Sequence, residues 1–428
     1  MKIAFLLHNV YAIGGTIRTT LNLAAALAER HDVEIASMQR HRETPRFTVD
    51  PRVRLVPLVD TRPSGLDAQD PRFGEPARDF PAAEKRHRQY TRLHDERVAE
   101  YLRASDADVI IGTRPGANVY IARFAPRHAL RIGQEHLRHD AHSKALRAEL
   151  ARHYRTLDAV VTTTEADAAV YRAKMPLPGV RTLAVPNSVP APPVSPSDGT
   201  APVIAAAGRL VRGKRFDLLI EAFSAVADKH PEWRLRIYGG GAEEERLQAL
   251  IERLGLAESA RLMGPHSPIE AEFAKASLVA VASDAESFGM TIVEAMRCGV
   301  PVVSTDCPLG PAEIIQDGVT GRLVPTGDKD ALAGALLDLI DDAPARRAMG
   351  AAALESAWAY DPAPIALRYE RLFEDLAASR LSRGWQRGRA RARRRAGGVA
   401  RRWLTAVRRA SRPDRPLPAA PATGAKRP

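Results

Sequence analysis

Two short stretches of this 428-residue chain carry the residue types that could do chemistry. In the later one, Ser283-Asp284-Ala285-Glu286-Ser287-Phe288-Gly289-Met290-Thr291 runs into Ile292-Val293-Glu294, which sets two carboxylates around a glycine-containing loop. Glu286 and Glu294 can accept hydrogen bonds from hydroxyls. The backbone N–H groups of Ser287, Phe288, Gly289, Met290 and Thr291 can face an anion at a helix start. In the earlier stretch, Gly208-Arg209-Leu210-Val211-Arg212-Gly213-Lys214, the cations Arg209 and Lys214 sit on a turn that opens another helix. Fixed cations beside free backbone donors can neutralise a leaving diphosphate without a metal. Hydroxyl acceptors next to diphosphate donors suit a nucleotide sugar. Taken singly, the carboxylate stretch fits equally a solvated loop with a surface glutamate, and the cationic stretch has surface charges on a loop as its lesser alternative.

These groups need elements to hold them. Residues 278–282 read as a buried strand and residues 291–298 as a helix closed by Gly299, so the carboxylate loop opens above the carboxyl end of a sheet, where open α/β sheets take ligands. Strands at 203–207, 234–238, 261–263, 301–305 and 322–324 alternate with helices at 216–228, 242–254, 311–316, 328–341 and 344–357. The alternation is that of a doubly wound α/β domain. Gly239-Gly240-Gly241 marks one strand-to-helix junction, either for close backbone approach to a ligand or for a tight turn. Met263 and Gly264 end the next strand.

The first half repeats the pattern less clearly. A strand at 2–7, Gly14-Gly15, a cap at Thr16, a helical pattern through Ile17, Leu21, Leu23, Ala24 and Leu27, and a strand at 33–38 make a βαβ opening. It lacks the G-x-G-x-x-G spacing, and Gly15 permits close approach to a ligand. Residues 61–83 read as a mobile insertion, followed by a helix from about 83 to 104. Asp106-Ala107-Asp108 has the spacing of a metal-binding pair but leads straight into a strand at 109–112, so no metal site is expected. A strand at 129–133 delivers Gln134-Glu135-His136 to a sheet's carboxyl end, which makes His136 an active-site candidate beside its ordinary reading as a structural histidine. A strand at 159–163, a helix at 165–175 and a strand at 182–185 complete this half. Six prolines between Pro186 and Pro202 then mark a linker.

Composition limits the class. The length favours two domains, and a hydrophobic fraction of 45% supports large cores. Only Cys298 and Cys307 occur, which gives no disulfide framework and suits a cytoplasmic setting. Met1 to Leu7 reads as a first strand, since His8 and Asn9 stop the apolar run short of a signal sequence, and no stretch has the apolar length of a membrane span. The net charge of +12 belongs to the end of the chain: from Arg380 onward sixteen Lys and Arg face the single acidic residue Asp414. The remainder is close to neutral. Residues 399–409 form a basic amphipathic helix candidate in which Trp403, Leu404 and Val407 would meet an anionic membrane surface, the alternative being a disordered basic end.

Residues 208 to about 325 resemble the donor domain of family 4 glycosyltransferases. The likeness rests on Gly208-Arg209-Leu210 with Lys214, the Gly239-Gly240-Gly241 turn, Met263-Gly264, the E-x7-E pair Glu286 and Glu294, Pro301-Val302-Val303-Ser304-Thr305, and Glu313-Ile314-Ile315 with Gly318-Val319-Thr320-Gly321. The resemblance implies a GT-B fold of two facing Rossmann-like domains with a cleft between them. Its divisions are an acceptor-side domain at 1–188, a linker at 189–201, a nucleotide-sugar donor domain at 202–360, a helix returning to the first domain at 361–379, and a largely disordered basic tail at 380–428. It also implies that Arg209 and Lys214 hold the donor diphosphate near Gly15, that Glu286 binds the donor sugar, and that Glu294 binds the ribose. Ser287 to Thr291 would present amides, Met263 and Gly264 would meet the base, and His136 would lie near the transferred sugar.

The implied reaction is a retaining, metal-independent transfer of a hexose from a UDP- or GDP-linked donor to a glycan or lipid-linked hydroxyl acceptor of the cell envelope. No cofactor or nucleic acid is expected, and the protein would sit in the cytoplasm or peripherally at the inner face of the membrane. A nucleotide-sugar epimerase or hydrolase of the same fold is the first alternative. A basic-tailed nucleic-acid or scaffold protein is the second.

Overall fold

Short apolar runs separated by turn residues give two parallel sheets in a computed structural model that describes residues 1–392. The first half contains β1 (Lys2–Leu7), α1 (Gly15–Leu27), β2 (Asp32–Ser37), β3 (Val53–Pro57), α2 (Arg92–Ala104), β4 (Val109–Gly112), α3 (Pro115–Phe124), β5 (Leu130–Glu135), α4 (Lys144–His153), β6 (Ala159–Thr162), α5 (Glu165–Lys174) and β7 (Arg181–Ala184). The second contains β8 (Val203–Ala207), α6 (Phe216–Lys229), β9 (Arg234–Tyr238), α7 (Glu244–Arg253), β10 (Ala260–Gly264), α8 (Glu270–Phe273), β11 (Leu278–Val281), α9 (Met290–Arg297), β12 (Val302–Thr305), α10 (Pro311–Ile314), β13 (Gly321–Val324), α11 (Lys329–Asp341), α12 (Ala343–Ser356) and α13 (Pro362–Ala378).

The sheet orders are β3-β2-β1-β4-β5-β6-β7 and β10-β9-β8-β11-β12-β13. All pairings among these strands are parallel, and helices cover the sheets; β4, β11 and β12 are buried along their whole length, as parallel strands packed on both faces must be. In each sheet the order reverses once, between β1 and β4 and between β8 and β11. A crevice opens outside the strands' carboxyl ends at such a reversal.

The last helix, α13, crosses back to the first half. Its spacing puts Ile365, Tyr369, Leu372, Phe373 and Leu376 on one stripe, which packs with α1 into the core above β1 and β5. Burial of each of these side chains stabilises the return by roughly 1.5–3 kcal/mol. Glu370 adds an ion pair with Arg30 at 2.9 Å.

Several sequence expectations need correction. Gly14, not Thr16, precedes α1; Thr16 lies within its first turn. The helix expected from about 83 begins at Arg92, where Thr91 and His94 form a capping box. The segment read as a mobile insertion is tied down: the buried carboxylate of Asp95 accepts the amides of Arg78, Asp79 and Phe80 at 2.6, 2.9 and 3.2 Å, and Phe80 stacks on Tyr90. A long-range acceptor of this kind leaves no local signal. Asp106 and Asp108 are both engaged by Lys2, the first by its side chain and the second by its amide. The tail is not disordered from its start, because residues 380–392 are helical. There Arg383 and Arg387 bind the buried Asp158 at 2.7 and 3.0 Å. The amphipathic stretch 399–409 lies outside the described residues.

Candidate functional site

The loops after β8 and β11 flank the reversal of the second sheet, and they carry Lys214 and Glu286. Lys214 Nζ lies 2.5 Å from Glu286 Oε1. Ser283 Oγ donates to the same carboxylate oxygen at 2.7 Å, and the Ser283 carbonyl is in turn held by Thr305 at 2.7 Å. The amide of Asp284 donates to the Gly213 carbonyl at 3.0 Å, so the two loops are stitched together by backbone as well as by charge. The glycines explain how the loops come so close. Gly239 has φ 146°, and a Cβ there would meet the Gly208 carbonyl oxygen at 1.8 Å. The glycine turn is therefore required by loop packing next to Arg209.

Past Glu286 the chain turns through Gly289, whose φ of 112° is left-handed, into α9. No side chain among the described residues caps this helix, so its first amides, from Gly289 to Thr291, are open donors at a positive dipole end. Phe288 is buried and anchors the loop. Met263 and Gly264 lie at the end of β10, two strands from the reversal, where the Gly264 carbonyl accepts the Gly239 amide at 2.9 Å. Gly15, at the start of α1, faces open space, since a Cβ there would meet nothing within 4 Å.

Glu294 lies on α9 and is 8% exposed. Burial pushes its carboxyl up to about 7, with Arg18 opposing the shift, Glu270 adding to it and Lys214 opposing it. Arg18, from α1 in the first half, donates Nη1 to Glu294 Oε1 at 3.0 Å and Nη2 to the buried Glu270. The sequence marks Glu294 but not this clasp, because Arg18 and Glu270, far apart in the chain, are each unremarkable on their own helices. Other contacts across the cleft include Thr163 Oγ1 to the Ser287 carbonyl at 2.6 Å, and Glu313, whose carboxylate accepts the amides of Glu165 and Ala166 at 2.8 Å. A gap of about 360 Å³ beside these contacts is lined by Thr163, Phe288, Glu313, Tyr360 and Arg368, and by none of the four charged site candidates.

His136 follows β5 but turns toward α1 and the linker, in a gap of about 10 Å³ lined by Thr19, Thr20, Leu23 and residues 186–188. Burial pulls its pKa down to about 4, against a smaller opposing effect of Glu135, so the ring is neutral. Nε2 is 3.3 Å from Gln134 Oε1, Nδ1 has no partner among the described residues, and Gln134 is held by Tyr369 of α13 at 2.7 Å. The structure thus brings Lys214, Glu286 and Glu294 into one electrostatic group, while Arg209 is exposed on the loop after β8, near enough to Arg86 of the first half to repel it. His136 makes no contact with that group.

With this geometry in view, residues 191–356 match the family described as glycosyl transferases group 1, and residues 14–188 match the glycosyl transferase 4-like domain. An exopolysaccharide phosphotransferase of Streptomyces coelicolor is 36% identical over 389 residues, 89% of this chain and 41% of that protein. The chain therefore spans less than half of that relative. Among solved structures, sucrose-phosphate synthase of Thermosynechococcus elongatus superposes with a TM-score of 0.72 at 21% identity, covering 88% of this chain and 99% of that one. The Anabaena protein HepE in complex with UDP and glucose gives 0.66 at 19%, covering 88% and 100%. These last two likenesses concern the fold.

Proposed function

Because the chain belongs to the group 1 glycosyl transferases, carrying their 4-like domain in its first half and two facing Rossmann-like sheets of the GT-B kind, we propose that it moves a sugar from a nucleotide-diphosphate donor to a hydroxyl acceptor. The observation that carries this reading is the Lys214–Glu286 pair, fixed at the reversal of the second sheet beside the uncapped start of α9. In this proposal Arg209, Lys214 and the amides of Ser287 to Thr291 receive the diphosphate, with Gly15 leaving room on the opposite side. Glu286 orients the donor sugar through its hydroxyls, Glu294 holds the ribose, and the backbone at Met263 and Gly264 meets the base. As the glycosidic bond breaks, charge collects on the departing phosphate, and preplaced cations and amides stabilise that state more than the ground state. His136, neutral with an open Nδ1, contributes a hydrogen bond and not a transferred proton. Retention of configuration, independence from metal, a UDP- or GDP-linked donor and a cell-envelope acceptor complete the reading.

The named activity of the Streptomyces relative favours a second reading, transfer of a sugar phosphate. The two differ in the bond that breaks. Sugar transfer cleaves the glycosidic C–O bond and releases a nucleoside diphosphate; sugar-phosphate transfer cleaves the phosphoanhydride and releases a monophosphate. Nucleotide sugars are screened for thermal stabilisation of the protein. The stabilising donor is then incubated with candidate acceptors and the released nucleotide is identified. Release of diphosphate that depends on acceptor supports the proposal. Monophosphate supports the second reading, and free sugar without acceptor indicates a hydrolase.

A further inference from the structure

Opposite the donor loops lies the other crevice, at the reversal of the first sheet. His8 follows β1 and Arg114 follows β4, the two strands that flank this reversal, and Arg86 and Tyr90 reach it from the segment between β3 and α2. Arg86 Nη1 donates to His8 Nε2 at 3.2 Å and to Gln89 Oε1 at 3.0 Å, while His8 Nδ1 lies 2.6 Å from the Tyr90 hydroxyl. A guanidinium can only donate, so Nε2 is the bare nitrogen and Nδ1–H donates to Tyr90. His8 is thereby a neutral strut that aims Arg86. Burial, followed by the nearby Arg114 and Arg86, keeps its pKa well below the ordinary value.

The charges in this crevice do not balance. Arg114 is paired with Glu84, whose buried carboxylate also accepts the Gly116 amide at 2.7 Å. Arg86 has no carboxylate partner among the described residues, and neither has Arg209, which lies close enough across the cleft to repel it. Both guanidiniums are exposed and Glu84 offsets part of the positive field at Arg86, so the repulsion is a screened one, and what remains of it favours an anion between them when the cleft is closed. The donor diphosphate already has Lys214, Arg209 and the α9 amides on its own side.

We propose that this first-sheet crevice binds a phosphoryl group carried by the acceptor, with Arg86 as its main ligand. The proposal rests on the transfer reading above and specifies the acceptor class: a phosphorylated hydroxyl compound. A phosphate of the donor is the other source of the same chemistry, and the test separates them. Calorimetry on the full chain saturated with UDP compares glycerol 3-phosphate with glycerol, for the wild-type protein and Arg86→Gln. The expected result is saturable binding of glycerol 3-phosphate that weakens with salt, at least roughly tenfold tighter than glycerol, and lost by about that factor in Arg86→Gln. UDP binding in Arg86→Gln stays within about twofold of wild type, which also reports that the variant is folded.

Equal binding of glycerol and its phosphate, or an unchanged Arg86→Gln, overturns the proposal. So does an Arg86→Gln that weakens UDP as much as glycerol 3-phosphate, because Arg86 would then serve the donor. If UDP fails to bind wild-type protein while glycerol 3-phosphate binds through Arg86, the anion site stands and the transfer reading falls.

Discussion

Glu294 gives the most exacting test of the donor site. Its carboxyl is pushed up to about 7 by burial, with Arg18 and Lys214 pulling the other way. Near neutrality, then, about half of the molecules hold it protonated. Only the ionised carboxylate can accept hydrogen bonds from both ribose hydroxyls, so donor affinity should follow the ionised fraction. That fraction goes from roughly one tenth at pH 6 to roughly nine tenths at pH 8, close to a tenfold fall in Kd, or about 1.4 kcal/mol. Nucleotide sugars carry no phosphate group of their own that titrates between these pH values. Arg18→Met removes a cation that favours ionisation, so the rise in affinity should move to higher pH and binding at pH 7 should weaken. Glu294→Gln should bind the donor more weakly and with no slope. Calorimetry at pH 6, 7 and 8 and constant ionic strength reads all three. A flat wild-type profile, or one that survives in Glu294→Gln, would refute the assignment of Glu294 to the nucleotide.

The same carboxylate sets a stability trend. Its folded pKa is raised above the ordinary 4.5, so its contribution is intact below pH 4.5 and declines as pH rises through about 7, by about 3 kcal/mol in full. Glu294→Gln should therefore gain stability over wild type at pH 8 relative to pH 5, read as urea midpoints. Lys214→Ala should lower turnover by roughly a hundredfold or more, the scale of a lost electrostatic donor, in a steady-state assay with the identified donor. Asp158 would be raised by burial, but the Arg131 amide, Arg383 and Arg387 outweigh that and hold it low. Asp158→Asn should cost about 3 kcal/mol and expose residues 380–392 to protease. Glu313→Ala removes two charge-assisted contacts at the start of α5 and should favour an open cleft, seen as a larger radius of gyration in X-ray scattering without donor.

The second half was the more legible because its signals are local. Strands β8 and β9 occupy the residues that the apolar runs mark, and Lys214 and Glu286 meet because their loops follow the two strands at a reversal, which order and spacing already suggest. What stayed hidden depends on distant partners. β3 is an edge strand of five residues with little buried surface, and Asp95 folds a proline-rich segment that composition alone marks as loose. Arg86 lies just past that segment, where the sequence reads as the start of a helix, and its aim comes only from its contact with His8, which Tyr90 holds in turn. Arg18 reads as an ordinary surface residue of α1. His136 follows β5 as its place in the sequence indicates, but the Gln134 that faces its ring is held by Tyr369, which only the return of α13 supplies.

The cross-cleft contacts bear on how chemistry and motion are linked. Thr163 holds the Ser287 carbonyl, Arg18 holds Glu294, and Glu313 caps α5, so two of the three grip the stretch that would present amides to the donor. That stretch is one loop and one short helix, held at its start by a hydroxyl and two turns later by a guanidinium, both from the first half of the chain. A ligand seated on the α9 amides would meet a loop already fixed by the opposite domain, with less of its ordering left to be done on binding. Opening would release both ends of that loop together and leave Glu294 beside Glu270, with Lys214 as the remaining counter-charge for Glu294 among the described residues. An open form would keep that carboxylate pair on the second domain, while the closed form brings Arg86 near enough to Arg209 for a screened repulsion. An acceptor phosphate between Arg86 and Arg209 would therefore favour closure, while a donor ribose on Glu294 would share the carboxylate that Arg18 holds, so the two substrates bear on the closed cleft in different ways.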